Sequence, residues 1–210
     1  MNTTASAAMG DMTTPFHVMT EDHPENGVHL GFWLYLMSDS FIFISLFACY
    51  AIYAFGGHFA GGPQPGEVFE LGFLAVSTGA LLLSSLTYGF GMLELARKRK
   101  AAVLAWLAVA GVFALVFLGL EIKEFAHLIE EGFGPSRSAF LSSFFTLVGT
   151  HGLHVTMGMV WLITLMTQVA IHGLTPDNSR RLTCLSLYWH FLDLVWIGIF
   201  SFVYLIGVLP

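Results

Sequence analysis

Five long apolar segments dominate this sequence, and almost no charge interrupts them. The fourth segment has no Asp, Glu, Lys or Arg, the first has only Asp39 and the fifth has only Asp193. A helix needs about 20 mainly apolar residues to cross the hydrocarbon core of a bilayer, which is roughly 30 Å thick. The sequence therefore predicts an all-α integral membrane bundle of five transmembrane helices. Their predicted ranges are about 30–55, 70–95, 101–122, 139–171 and 184–208.

The composition indicates the same environment. Hydrophobic residues make up 56% of the chain and charged residues only 10%, whereas a soluble domain carries about 25% charged residues. The net charge is −6 and no basic run is long enough to follow a phosphate backbone, so we expect no nucleic-acid partner. Residues 1–28 are predicted to form a polar, poorly ordered cytoplasmic tail, and residues 29–210 the membrane domain.

The distribution of Lys and Arg predicts the orientation of the helices. The loop after the second segment contains four basic residues at positions 97–100, and the loop after the fourth contains Arg180 and Arg181. The opposite side of the membrane receives only Lys123 and Arg137. Because basic loops are retained in the cytoplasm, the N-terminus is predicted to be cytoplasmic and the C-terminus periplasmic.

The basic loop after the second segment lies at the predicted cytoplasmic surface. It consists of Arg97, Lys98, Arg99 and Lys100. Cations at this level meet the phosphates of the bilayer, so we expect them to contact lipid headgroups. Glu94 stands one turn before the cluster and is predicted to form an interfacial ion pair with it.

A few polar side chains fall inside the predicted spans. Asp39 and Asp193 each lie about nine residues from the predicted cytoplasmic end of their helix, and His190 lies one turn from Asp193. The fourth helix enters from the periplasm, which places His151 near mid-membrane and His154 in the cytoplasmic half. We therefore predict a shared polar layer. At least one inter-helix hydrogen-bonded pair is expected among Asp39, His154, His190 and Asp193.

These polar residues have structural as well as functional interpretations. Histidines in membrane helices often serve only as hydrogen-bonding groups between helices. A buried Asp193 can be a neutral hydrogen-bond donor, whereas for Asp39 a structural and a proton-linked role are both open. His151 and His154 share one helix face, while bis-histidine haem ligation needs opposing helices. A three-histidine copper site is geometrically feasible, but we expect no metal and no catalytic centre in this chain.

Three motifs resemble signatures of subunit III of the haem–copper oxidases. Residues 31–39 (GFWLYLMSD) resemble its opening core helix, residues 147–158 (LVGTHGLHVTMG) its fourth-helix signature and residues 188–196 (YWHFLDLVW) its last-helix signature. The resemblance extends over about residues 28–208, and the motifs occur in the family's order. The chain most resembles the five-helix form found in bo-type ubiquinol oxidases, since the mitochondrial form has seven helices.

The resemblance implies an accessory subunit without a catalytic centre, in a proton-pumping ubiquinol oxidase that reduces oxygen to water in aerobic respiration. Haems and copper would belong to subunit I, which this chain would stabilise, with subunits II and IV as further partners. The family also implies bound phospholipid and a bacterial inner membrane. Asp39 matches the family's buried carboxylate, which is commonly Glu, and His151, His154, His190 and Asp193 match signature residues with structural or lipid-facing roles.

Two alternatives remain at this stage. The five-helix length is also compatible with subunit III of another five-helix oxidase that uses menaquinol or cytochrome c, although the motifs favour the ubiquinol branch. A proton-coupled transporter with Asp39 and Asp193 as relay groups is a weaker alternative, because the sequence contains no inverted repeat and no broken helices.

Overall fold

The computed structural model describes residues 24–56 and 71–205, and these residues form five long helices. They are α1 (Pro24–Phe55), α2 (Leu71–Ala96), α3 (Lys100–Glu130), α4 (Ala139–His172) and α5 (Pro176–Ile199), and α5 continues as a π-helix over Phe200–Leu205. All five are long and apolar enough to cross a membrane. The predicted five-helix membrane fold is confirmed. Most of the expected tail, residues 1–23, lies outside the described residues.

Two helices extend further than predicted, because hydropathy marks only the part of a helix that crosses lipid. α3 was predicted to end at residue 122 but continues to Glu130 and is followed by Gly132 in a left-handed conformation (φ 81°). α5 was predicted to begin at residue 184 but begins at Pro176, after Thr175, whose side chain accepts a hydrogen bond from the Asn178 backbone N–H. Capping residues of this kind set where helices begin and end.

The first helix also begins earlier than predicted, at Pro24 instead of residue 30. Because α5 begins at Pro176, the connection predicted over residues 172–183 is shortened to residues 173–175. Arg180 and Arg181 therefore lie within the first turns of α5. α4 begins at its cap Ser138, whose side chain accepts from the Leu141 backbone N–H at 3.1 Å. These shifts move basic and acidic residues from loops onto helix ends without changing the number of spans.

The helices form a closed ring in the order α1, α4, α3, α2, α5, with an additional contact between α4 and α5 across it. α1 is the least buried of the five helices and α5 the most buried. The core contains large aromatic side chains that are fully buried, among them Trp196, Tyr88, Phe117 and Phe144. Leucine, valine, isoleucine and phenylalanine side chains are exposed on all five helices, as expected for surfaces that face acyl chains or other subunits.

A glycine sets the close approach of α4 and α5. A Cβ atom added at Gly158 would lie 3.0 Å from Tyr188 Cε1 and 3.4 Å from Trp189 Cζ3. Both rings are buried, so they have little room to move. Small residues allow membrane helices to approach in this way.

Replacing Gly158 by Leu is expected to force α4 and α5 apart and to lower the free energy of unfolding by about 1–3 kcal/mol, the usual cost of overpacking. Reversible unfolding in mixed micelles measures this change. Gly152→Leu on the same helix is the matched control, because nothing lies within 4 Å of its Cβ position. Equal stability of the two variants would contradict the assignment of Gly158 as the packing point.

Candidate functional site

Asp39 of α1 and His154 of α4 meet across the helix interface. Asp39 Oδ2 lies 3.2 Å from His154 Nε2, and both side chains are largely buried. Oδ2 has no hydrogen-bond partner among the described residues, so the contact is a close polar pair and not a hydrogen bond. Of the four residues expected to supply an inter-helix hydrogen-bonded pair, these two are brought together from different helices, but without that hydrogen bond.

The hydrogen bond on the other side of the ring determines what the pair can do. His154 Nδ1 lies 2.7 Å from the Thr150 carbonyl oxygen, and a carbonyl only accepts, so Nδ1 carries a proton. The neutral ring then has its lone pair on Nε2. An ionised Asp39 is therefore attracted only by a protonated His154, and a neutral His154 is complemented by a protonated Asp39. The pair is electrically neutral when its acid and Nε2 share a single proton.

Residues from two further positions hold this pair in place. The Tyr188 hydroxyl of α5 donates to the His154 carbonyl oxygen at 2.9 Å. The Phe43 ring, one turn beyond Asp39 on α1, packs against the His154 ring at 5.1 Å. Three helices thus converge on His154.

His190 and Asp193 form a second, separate group. His190 Nδ1 lies 2.7 Å from Ser85 Oγ of α2 and 3.6 Å from Asp193 Oδ2 on its own helix. Asp193 is buried, whereas the His190 side chain is 52% exposed. The single polar layer predicted from depth is therefore divided, because helical phase turns these side chains toward different interfaces of the ring.

His151 stands apart from both groups. It is fully buried, stacks on Trp196 at 5.3 Å and meets Phe117 edge-on at 6.0 Å. Neither ring nitrogen has a hydrogen-bond partner among the described residues. His151 therefore contributes an aromatic surface to the core, and its spacing from His154 does not create a shared site.

A hydroxyl network that the sequence did not reveal ties α5 to its neighbours. Trp189 Nε1 donates to Ser84 Oγ at 3.1 Å, and Ser84 Oγ donates to the Ala110 carbonyl oxygen of α3 at 2.8 Å. Trp196 Nε1 donates to Thr78 Oγ1 at 3.1 Å. Ser and Thr occur throughout these helices, so no local signal distinguished the two that accept from indoles.

Glu121 lies at the end of the apolar part of α3, yet it is only 5% exposed. Neither carboxylate oxygen has a hydrogen-bond partner among the described residues. It follows Phe117 by one turn on the buried stripe of α3. That periodicity was the available signal for its burial.

The basic cluster at positions 97–100 is organised by the α2–α3 turn. Arg97 Nη1 lies 2.6 Å from Glu94 Oε1 and Arg99 Nη1 lies 3.7 Å from Glu94 Oε2, which confirms the predicted interfacial ion pair. Lys100 Nζ donates to the Ala170 carbonyl oxygen near the end of α4 at 2.8 Å. Lys98 adopts a positive φ of 55° in the turn.

Within residues 24–56 and 71–205, no three His, Cys, Asp or Glu side chains cluster as potential metal ligands. The described part of the chain is thus a membrane bundle with isolated polar pairs at helix interfaces. Such a bundle belongs to the class of multi-pass integral membrane proteins.

The chain matches the family described as cytochrome c oxidase subunit III over residues 11–208, and it belongs to that family. It is 58% identical over 180 residues to a Pseudomonas putida protein named cytochrome bo(3) ubiquinol oxidase subunit 3, covering 86% of each chain. A Buchnera aphidicola protein of the same name is 45% identical, with 85% of this chain and 91% of that chain covered. A probable quinol oxidase subunit 3 of Staphylococcus saprophyticus is 44% identical, with 89% and 92% covered.

A double-mutant cycle of Asp39→Ala and His154→Ala tests the pair. Because each single substitution leaves the other group buried without its partner, the two changes should be non-additive, with a coupling of about 0.5–3 kcal/mol in the free energy of unfolding. Ser45→Ala combined with His154→Ala is the control, since Ser45 bonds only to the Phe41 carbonyl of its own helix. Additivity in both cycles would show that the Asp39–His154 contact contributes nothing.

Proposed function

We propose that this chain is the accessory subunit III of a terminal ubiquinol oxidase in a bacterial inner membrane, a complex that reduces oxygen to water and pumps protons. The observation that most supports this proposal is the 58% identity, over 86% of both chains, to a protein named as a ubiquinol oxidase subunit. Relatives named as ubiquinol oxidase subunits are 45–58% identical, and relatives named only as quinol oxidase subunits are 42–44% identical. The two highest identities among them, 58% and 55%, belong to proteins named for ubiquinol, which supports ubiquinol as the substrate of the complex.

In this proposal the chain has no catalytic centre of its own, and haems and copper reside in subunit I. Its contribution is mechanical and electrostatic: a closed ring of helices, fastened by buried polar pairs, packs against subunit I within the complex that also contains subunits II and IV. Apolar side chains exposed along all five helices suit such packing. Asp39 is the group that we assign a proton-linked role, since its pair with His154 changes charge when one proton is gained or lost.

Phospholipid binding is the second part of the proposal. A groove of about 650 Å³ opens at the N-terminal ends of α1 and α5. Its wall includes Phe32 and Trp161, which meet edge-on at 5.7 Å, and its rim carries Arg180 and Arg181. Aromatic walls accommodate acyl chains and guanidinium groups bind phosphate. The basic cluster at positions 97–100 would add headgroup contacts at the same membrane surface.

Deleting this chain while retaining the other oxidase subunits is expected to leave the haem spectrum intact but to shorten the active lifetime of the complex. The measurement is oxygen consumption with ubiquinol followed over many turnovers, together with the yield of assembled complex in mild detergent. Re-expression of the wild-type chain is the control and should restore the lifetime. Unchanged assembly and lifetime after deletion would overturn the proposed stabilising role.

The double variant Arg180→Gln, Arg181→Gln is expected to reduce the phospholipid that co-purifies with the complex, because both cations at the groove are lost. Native mass spectrometry of the intact complex counts the bound lipids. Arg137→Gln is the matched control, since it removes an arginine near the opposite end of the bundle. An unchanged lipid count in the double variant would place bound lipid elsewhere.

A further inference from the structure

His190 lies deep in its transmembrane helix. The helix runs from Pro176 to Tyr204, but its first turns carry Asp177, Arg180 and Arg181, so its apolar part begins after Arg181. His190 lies nine residues beyond Arg181 and 14 residues before Tyr204, which corresponds to about 14 Å and about 21 Å along the helix axis. An imidazole is too short to reach an aqueous interface from there, unlike the long side chains of Lys and Arg that extend to the membrane surface.

The imidazole is nevertheless half exposed on the outside of the bundle. Its Nδ1 is engaged by Ser85 and approaches Asp193, while Nε2 has no partner among the described residues. The other Asp and His side chains deep in the spans, which are Asp39, His151, His154 and Asp193, are at most 13% exposed. His190 is the exception among them.

Hydroxyl groups on the outer surfaces behave differently. Ser45 donates to the Phe41 carbonyl, Thr156 to the Gly152 carbonyl and Thr164 to the Val160 carbonyl, all at 2.8 Å and within one helix. Each of these hydroxyl groups donates its proton within its own helix. A hydrogen bond to a carbonyl of the same helix is the usual arrangement for hydroxyl groups that face acyl chains.

Exposing Nε2 to hydrocarbon would leave a polar atom without a hydrogen bond, at a cost of several kcal/mol. Ionisable groups inside membrane proteins are found facing protein or a water-filled cavity. The surface around His190 is otherwise apolar, with Leu187 and Leu194 one turn to either side on α5 and Leu86 on α2. An apolar face with one central polar atom suits another transmembrane helix and not lipid alone.

We propose that this surface docks a transmembrane helix of another oxidase subunit. We call it the His190 face and define it by Leu86, Leu187, His190 and Leu194. The docked helix would present a hydroxyl, amide or carboxyl group to His190 Nε2 within the hydrocarbon core of the bilayer. The inference rests on the proposed function, because that function supplies the neighbouring subunit.

A neighbouring glycine supports the assignment. Gly89 of α2 lies one turn from Ser85, and nothing lies within 4 Å of its Cβ position. A small residue beside the polar centre permits close approach of a second backbone, which is the usual arrangement where membrane helices associate. By contrast, the outer face of α3 near mid-membrane presents Val112, Leu115 and Val116, with no polar side chain among them.

Photo-crosslinking in the intact complex tests the His190 face. A benzophenone side chain is introduced as Leu194→p-benzoylphenylalanine, and Leu115→p-benzoylphenylalanine is the matched control. The two leucines are 67% and 57% exposed in the isolated chain, and Leu115 lies at the centre of α3. After illumination, the expected result is an adduct between this chain and another oxidase subunit for position 194, and only lipid adducts for position 115.

A second set of variants tests the polar contact itself. His190→Leu is expected to weaken retention of this chain in the detergent-purified complex, by about threefold to about twentyfold if the lost bond has the strength measured for other interhelical bonds in membranes. His190→Gln keeps a hydrogen-bonding end and should retain more. Ser85→Ala removes only the internal bond and should leave retention unchanged.

The outcomes separate this inference from the proposed function. Lipid adducts alone at position 194, in a chain that still co-purifies with the oxidase, would overturn the His190 face and leave the proposed function standing. Equal losses for Ser85→Ala and His190→Leu would assign His190 to internal packing and would also overturn it. A chain that does not co-purify with oxidase subunits at all would overturn both.

Discussion

The hydrocarbon solvent imposes the constraint on which the whole structure depends: every polar group at membrane depth needs a partner within the protein. The bundle meets it in part by placing polar atoms at helix interfaces, while the carboxyl group of Glu121 and the ring nitrogens of His151 have no hydrogen-bond partner among the described residues. The single hydroxyl of Ser84 on α2 links two other helices. It accepts a hydrogen bond from the Trp189 indole of α5 and donates one to the Ala110 carbonyl of α3. Because each such bond joins different helices, satisfying the polar groups also fixes the order of the ring.

The sequence predicted those features that depend on hydropathy and on depth. A run of apolar residues must cross the bilayer, so the five spans, and the expectation that some of the polar residues at similar depth would meet, followed from residue counts alone. Helix ends depend instead on caps, and Thr175 with Pro176 carries α5 eight residues beyond its apolar segment. Hydropathy contains no information about such an extension.

The depth of a residue in the membrane also does not determine the direction in which its side chain points. His190 and Asp39 lie at similar depth, yet one faces outward and the other inward, because rotation about the helix axis is set by packing. Near Gly158 the approach of α4 to Tyr188 and Trp189 fixes the phase of α5. On α4, helical phase turns His151 toward Phe117 of α3 and Trp196 of α5. Contacts between helices decided these positions, and a single sequence does not display them.

The two polar pairs differ in a way that bears on how the chain works. Asp39 and His154 are both buried within the subunit, so their pairing fastens α1, the least buried helix, to the centre of the ring. Losing either partner would leave a buried group uncompensated, which is costly in a medium of low polarity. His190 instead keeps one nitrogen outside the ring after its internal bond to Ser85 is made. A nitrogen that has no hydrogen-bond partner in the isolated chain favours association with another chain. The requirement that polar groups in hydrocarbon be hydrogen-bonded therefore bears both on the cohesion of the bundle and on its proposed association with a neighbouring subunit.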